Sequence, residues 1–324
     1  MILIYELFPH CNLNCDFCFQ RSCVKKDEYK NNYIKTPIDY IKQAKQSFLN
    51  NLKDENIELL CLWGGELFYD NSEEYIEVFW DFINTIKPKE LFFYTNLMKI
   101  NKVLEELIFG DWKIQEHISY DPVGRFKTVE QEEIFFNNLE RIKTAERYKE
   151  KRINISVILQ PEVITRQCDL TKLKELMNDE SINIVFKEYE RPYPDDIKEN
   201  YNEIILDFYK EFYKCDNVKH LKDGEKAKDD SILLNHYCPC FSGAKFFTYA
   251  NDFELNEKAT CDSFLNGKDQ FEEFLSNYNC STCEFKNKCT DICPSRMINS
   301  GLKNCYRKYL YEHLEEIPDE NDTI

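Results

Sequence analysis

Short apolar runs alternate with longer amphipathic stretches over the first two-thirds of the chain. The runs are "ILIYELF" (2–8), "IELLCLW" (57–63), "ELFFYT" (90–95), "EHISY" (116–120), "INISVIL" (153–159) and "INIVFKEY" (182–189). Brief and rich in Ile, Leu, Phe and Tyr, they fit strands covered on both faces. Between them the apolar spacing changes to that of helices. Thr36 before Pro37 predicts a helix to about residue 50, because a threonine side chain caps well and a first-turn proline loses no hydrogen bond. Tyr75, Ile76, Phe79, Phe82, Ile83 and Ile86 mark a second helix, and Ile134, Phe135, Leu139 and Ile142 another.

Six strand–helix repeats predict a parallel sheet with right-handed crossovers. Six are too few to close an eight-stranded barrel. The expected fold class is therefore α/β: a partial (β/α)6 TIM-like barrel over residues 1–200, with its chemistry on the loops after the strands. The Pro-rich, charged "ERPYPDDIKEN" (190–200) closes this part. A helical linker at 201–235 follows, containing "YNEIILDFYKEFY" and the solvated "KHLKDGEKAKDD". From 236 the periodicity gives way to cysteine-dense segments, which predicts a small domain at 236–308 and an acidic tail at 309–324.

Composition narrows the function classes. An apolar share of 43% against 31% charged is that of a globular chain, and 324 residues allow one large domain plus a small one. A net charge of −17 repels phosphate and anionic lipid, so nucleic acid and membranes are not expected as partners. No apolar run is long enough to span a bilayer, and "MILIYELF" lacks the features of a signal peptide. A cytoplasmic location is expected, where thiols stay reduced. There, 15 cysteines point to metal rather than disulfides.

Three of those cysteines lie in "HCNLNCDFCF" (10–19), directly after the first strand: Cys11, Cys15 and Cys18 in CxxxCxxC spacing. Three thiolates can hold three irons of a [4Fe–4S] cube and leave the fourth iron to a non-protein ligand. A zinc completed by a distant residue is the alternative on spacing alone. With Phe17 just before the last cysteine, the motif resembles the signature of radical S-adenosylmethionine (SAM) enzymes. That resemblance implies SAM chelated by the open iron and cleaved on reduction to a 5′-deoxyadenosyl radical. "WGGE" (63–66) resembles the family's GGE motif, which implies Gly64, Gly65 and Glu66 near the SAM ammonium. "YTNL" (94–97) resembles its TNG segment. "ISYDP" (118–122) resembles the SLDGP segment of the peptide-modifying branch, making Ser119 a SAM-contacting hydroxyl. Leu97 and Pro122 stand where the family has glycine.

Near the C-terminus, "CSTCEFKNKCTDIC" places Cys280, Cys283, Cys289 and Cys293 in CxxCxxxxxCxxxC spacing, with Cys305 beyond and Cys240 and Cys261 before. Spacing alone leaves one or two structural zincs open. The set resembles the SPASM domain that follows radical SAM barrels. The resemblance implies two auxiliary [4Fe–4S] clusters: one on Cys280, Cys283, Cys289 and Cys305, the other on Cys240, Cys261 and Cys293. The fourth position of the latter falls to Cys238 or stays open to a substrate thiolate. Asp262 stands where sulfatase-maturing relatives have a base, and a solvated turn aspartate is the plainer reading. Cys61 fits a core position, while Cys23, Cys168 and Cys215 are isolated thiols.

Together these features predict a radical SAM/SPASM oxidoreductase with three [4Fe–4S] clusters and SAM, acting on a peptide or protein side chain. A thioether or carbon–carbon crosslink in a ribosomally made peptide is the expected product, and formylglycine formation in a sulfatase the alternative. A flavodoxin- or ferredoxin-type reductant is the expected electron source. With the first strand starting at Ile2, no fused leader-binding domain is expected, and leader recognition falls to a separate peptide-binding protein, to the acidic surface, or is not needed. From other classes, a ferredoxin-like electron carrier explains clusters but not WGGE, and a zinc-binding module leaves the first three cysteines one ligand short.

Overall fold

The computed structural model describes residues 1–18, 35–189, 191–223, 245–248, 253, 277–279, 282–285 and 300–318. Six strand–helix units follow one another, in strands β1 (Ile2–Glu6), β2 (Leu59–Trp63), β3 (Glu90–Thr95), β4 (Ile114–Ser119), β5 (Ile153–Ile158) and β6 (Ile182–Lys187). Helices α1 (Pro37–Asn51), α2 (Glu73–Ile86), α3 (Lys102–Phe109), α4 (Val129–Lys143) and α5 (Thr171–Asn178) lie between them. Then come α6 (Tyr201–Glu211), α7 (Asp216–Asp223), a further strand β7 (Lys245–Thr248) and α8 (Tyr306–Glu312). The chain divides into two units: residues 1–120, 124–153 and 242–265 in the first, and 121–123, 154–241 and 266–324 in the second.

In the first unit β1 to β4 pair in parallel and in sequence order, as buried apolar strands joined by helical crossovers must. Helix starts follow local chemistry. Thr36 and Asp39 form a reciprocal capping box before Pro37, and Ser72, Asn101 and Thr128 each cap a helix by accepting a backbone N–H. Tyr75, Phe79, Phe82, Ile83 and Ile86 of α2 are all buried, whereas Ile76, expected in the same stripe, is half-buried. On α4 the core face carries Phe135, Leu139 and Ile142, whereas Ile134, expected in the same stripe, is exposed. One residue ahead of Phe135 is about 100° around the helix, which takes Ile134 off the buried side.

Two features lay beyond the sequence pattern. β1 stops at Glu6, earlier than its apolar run, because the chain turns away toward the cysteine loop after one more sheet-like bond, Leu7 N–H to Trp63 O at 3.0 Å. Pro9, with no N–H, cannot extend the ladder. And β7, drawn from the stretch assigned by sequence to 236–308, adds to the other edge of β1 in parallel register, with Tyr5 opposite Phe247. Their rings stack at 4.9 Å, and Phe82 meets Tyr5 edge-on at 5.4 Å.

The second unit builds its own core. The side chain of Asn217 grips the backbone of Phe186, accepting its N–H at 2.6 Å and donating to its carbonyl at 3.0 Å. Phe186, Phe208 and Phe212 cluster there, and the Tyr306 hydroxyl on α8 donates to Glu188 at 2.8 Å. Among the described residues no helix is long and apolar enough to cross a membrane.

Candidate iron–sulfur and cofactor site

The C-terminal ends of β1 to β4 carry the loops on which the sequence placed the chemistry. Residues 8–10 lead from β1 into the cysteine loop, and "WGGE" runs directly against them. Gly65 N–H donates to Phe8 O at 2.7 Å, and Glu66 N–H to His10 O at 2.8 Å. A Cβ on Gly65 would fall 1.8 Å from His10 O, and one on Gly64 2.6 Å from Phe8 O. Gly64 also has φ +135°, a conformation that a side chain disfavours. The two glycines thus allow the chain's own backbone to approach.

Glu66 is similarly committed inside the protein. Its side chain is 3% exposed and accepts from Phe68 N–H at 3.2 Å, the Thr95 hydroxyl at 2.9 Å and Asn96 N–H at 2.6 Å. Burial pushes its carboxyl up to about 7, against the opposing pull of these donors and of Arg125. In this structure the carboxylate ties the end of β2 to the end of β3. Leu97, next along, has φ 56° and is buried. This explains why a glycine suits that place: a branched side chain there carries roughly 1–2 kcal/mol of backbone strain.

Asn96 extends the tie to the cysteines. Its amide Nδ2 donates to Asn12 Oδ1 at 2.7 Å and reaches Cys11 Sγ at 3.7 Å, where Leu13 N–H also donates at 3.4 Å. Two N–H groups on one sulfur are what an iron-bound thiolate accepts. Loss of hydration around the sulfur, then the nearby Glu66, raises the Cys11 thiol, although the residue as a whole is exposed. Cys15 is buried and Cys18 half-buried. Among the described residues no three His, Cys, Asp or Glu converge on a single ion. A cube does not ask for that, since each thiolate takes a different iron. The donor set fits a [4Fe–4S] group.

A fourth loop completes the site, and sequence reasoning missed it. After β4, Gly124 O accepts from Asp16 N–H at 3.0 Å, Lys127 pairs with Asp16 at 2.6 Å, and the Arg125 guanidinium lies 5.3 Å from the Phe17 ring centre. The "GRFK" stretch had no spacing to mark it. Ser119 ends β4 half-buried. Asp121, beyond it, is buried and accepts the Ile158 N–H at 2.7 Å, in the second unit.

Of the C-terminal cysteines, Cys283 and Cys305 are described. Phe285 stacks on Tyr311 at 5.0 Å and the Tyr278 hydroxyl donates to Leu302 O at 2.5 Å, which brings the segment around Cys283 to that around Cys305. Burial raises the Cys305 thiol, and the charge of Cys283 adds to the shift. Cys238, Cys240, Cys261, Asp262, Cys280, Cys289 and Cys293 lie outside the described residues, as does Cys23. Cys61 and Cys215 are buried.

A family model for a 4Fe-4S single cluster domain matches residues 4–119, which run from within β1 to the end of β4 and take in the cysteine loop, "WGGE" and "YTNL". Among solved structures the chain is similar to "Native anSMEcpe with bound AdoMet", at 15% identity and a TM-score of 0.55 over 98% of each chain. It is likewise similar to a histidine-tagged form of anSMEcpe with bound AdoMet, at 15% and 0.56 over 98% of each. "Native anSMEcpe with bound AdoMet and Cp18Cys peptide" matches at 14% and 0.53, again over 98% of each. No curated protein matches the sequence. At such identities the likeness is one of fold: this chain is an α/β protein with the partial-barrel fold of those structures.

Proposed function

We propose that the protein is a radical SAM enzyme that modifies a peptide or protein side chain. The observation that carries this reading is the linked set of strand-end loops. Glu66 joins β2 to β3, Asn96 joins β3 to Cys11, and residues 124–127 join the end of β4 to Asp16 and Phe17. The set stands where parallel α/β sheets place their chemistry. In support, the 4Fe-4S family model covers the loops after β1, β2 and β3, and the fold is shared with structures holding AdoMet and, in one, a peptide.

Cys11, Cys15 and Cys18 would hold the cluster. Bound there, a cube with SAM supplies a 5′-deoxyadenosyl radical for hydrogen abstraction. The chain's part is to fix the thiolates: Asn96 and Leu13 N–H stabilise the Cys11 sulfur, and the Gly64–Gly65 approach sets the course of residues 8–10. Ser119 remains the candidate SAM hydroxyl, and Asp262 the candidate base. Auxiliary clusters on the C-terminal cysteines would accept the electron that an oxidised product leaves behind, and a thioether or carbon–carbon crosslink is such a product. Formylglycine formation is the second reading, with a peptide as common ground. The remaining proposals are a flavodoxin- or ferredoxin-type reductant, a separate leader-binding protein and a cytoplasmic location.

Anaerobic purification and reconstitution test this directly. A brown protein with about 12 iron per chain, from three cubes, and release of 5′-deoxyadenosine on reduction with SAM are expected. SAM cleavage should vanish in Cys15→Ala and persist in Cys283→Ala. Stoichiometric zinc without iron would sink the enzyme reading. Mass spectrometry of a treated peptide separates crosslink from formylglycine.

A further inference from the structure

The loop after β4 does more than touch the cysteine segment: it delivers a buried cation to it. Arg125 is 8% exposed, and its guanidinium stands over Phe17, the residue that adjoins Cys18. Three contacts of different kinds hold this arrangement: the Asp16–Gly124 backbone bond, the Lys127–Asp16 ion pair and the ring contact itself. Gly124 takes φ +73°, and a Cβ there would sit 3.3 Å from Asp16 Cβ and 3.4 Å from Phe17 Cδ1, so the loop packs tightly against the cysteine segment. The charge of Arg125 also bears on the buried Glu66 carboxyl, whose proton affinity it lowers.

Charge counting gives the cation a task. Three thiolates carry three negative charges against a cube core of +2 when oxidised and +1 when reduced. Taking up one electron therefore adds a negative charge at this loop, and a fixed positive charge in a low-dielectric setting favours that state. We propose that Arg125 raises the reduction potential of the cluster held by Cys11, Cys15 and Cys18, so that a flavodoxin- or ferredoxin-type donor can pass it one electron. Arg125 is thus a positioning and electrostatic residue, not a cluster ligand. The proposal rests on the reading that this loop holds an iron–sulfur cube.

The test is a redox titration of the anaerobically reconstituted full-length chain, followed by electron paramagnetic resonance. The relevant signal is the one absent from Cys15→Ala. Arg125→Gln and Arg125→Met should each lower the equilibrium constant for reduction about tenfold, which is about 59 mV for one electron. Arg125→Lys, which keeps the charge and loses the planar group, should stay within about twofold of wild type. An unmoved potential in the neutral variants overturns the proposal. So does a lysine variant that shifts as far as they do, since packing would then be the cause. If both neutral variants lose the cube while the lysine variant keeps it, the role is cluster retention and the proposal again falls. A wild-type chain that takes up no iron instead defeats the functional reading beneath it.

Discussion

Two buried glutamates in the first unit stand at opposite ends of the sheet and are treated differently. Glu66, just after β2, accepts three hydrogen bonds, from the loop residues Phe68 and Asn96 and from Thr95 at the end of β3. Glu116, inside β4, is fully buried, with the Tyr148 hydroxyl beside its carboxyl. Its partner is Lys151 at 3.6 Å, and burial raises its carboxyl as well. Around it, Lys151 and Arg147 turn mainly to backbone carbonyls, of Ile114 and of Gly110 and Trp112, closing off the starts of the strands. The difference teaches what each end is for. Polar groups at the strand ends are netted together to fix loops, whereas at the strand starts cations finish off carbonyls and one carboxylate. That division is the one expected between chemistry and stability in barrels of this kind.

The comparison breaks most sharply at Gly65. Gly65→Ala forces a methyl into His10 O and should cost about 4 kcal/mol in denaturant unfolding, with loss of iron uptake. Normal iron binding in that variant would show that residues 8–10 and "WGGE" need not lie together. Glu66→Ala strands three donors and should cost about 3 kcal/mol, with iron retention falling in parallel.

Glu66 also gives the comparison a pH axis. Its folded carboxyl, raised to about 7, binds a proton that the unfolded chain releases at ordinary carboxylate pH. Its contribution to stability is thus greatest below the unfolded value and declines as pH rises to about 7. Relative to Glu66→Gln, the cluster-free wild type should lose on the order of 3 kcal/mol across that window. A flat difference between the two melting curves would mean that the carboxylate is ionised throughout.

Smaller effects sharpen the picture. Leu97→Gly relieves left-handed strain but empties a buried site, for a net loss of about 2 kcal/mol by thermal unfolding. Glu116→Gln should change stability by about 1 kcal/mol or less, because a carboxyl with raised affinity for protons gives up little when made neutral. It should leave iron content untouched. Iron loss there equal to that of Glu66→Ala would erase the distinction between the two ends.

Much of the fold was readable along the chain. The Thr36–Pro37 start, the five buried positions of α2 and the strand-by-strand order of β1 to β4 follow from caps, periodicity and parallel crossovers, all properties of near neighbours. Cys11, Cys15 and Cys18 were legible because one short loop carries them. Arg125 was not, since its meaning depends on Phe17, which lies far earlier in the chain. β7 was hidden for a similar reason: four residues carry no period long enough to tell strand from loop, and it exists by pairing with β1.

The sequence by itself determined the alternation of strands and helices, the three-thiolate spacing and the place of "WGGE" after β2, because each is written in residues close together. Only the tertiary structure decided what those residues touch. It turned Gly64 and Gly65 toward the backbone of residues 8–10, committed Glu66 to Thr95 and Asn96, and set Arg125 over Phe17. The physical reason is that hydrogen bonds and buried charges are settled by distance in space. A motif names the groups available, and folding decides which of them are already spent on the protein itself.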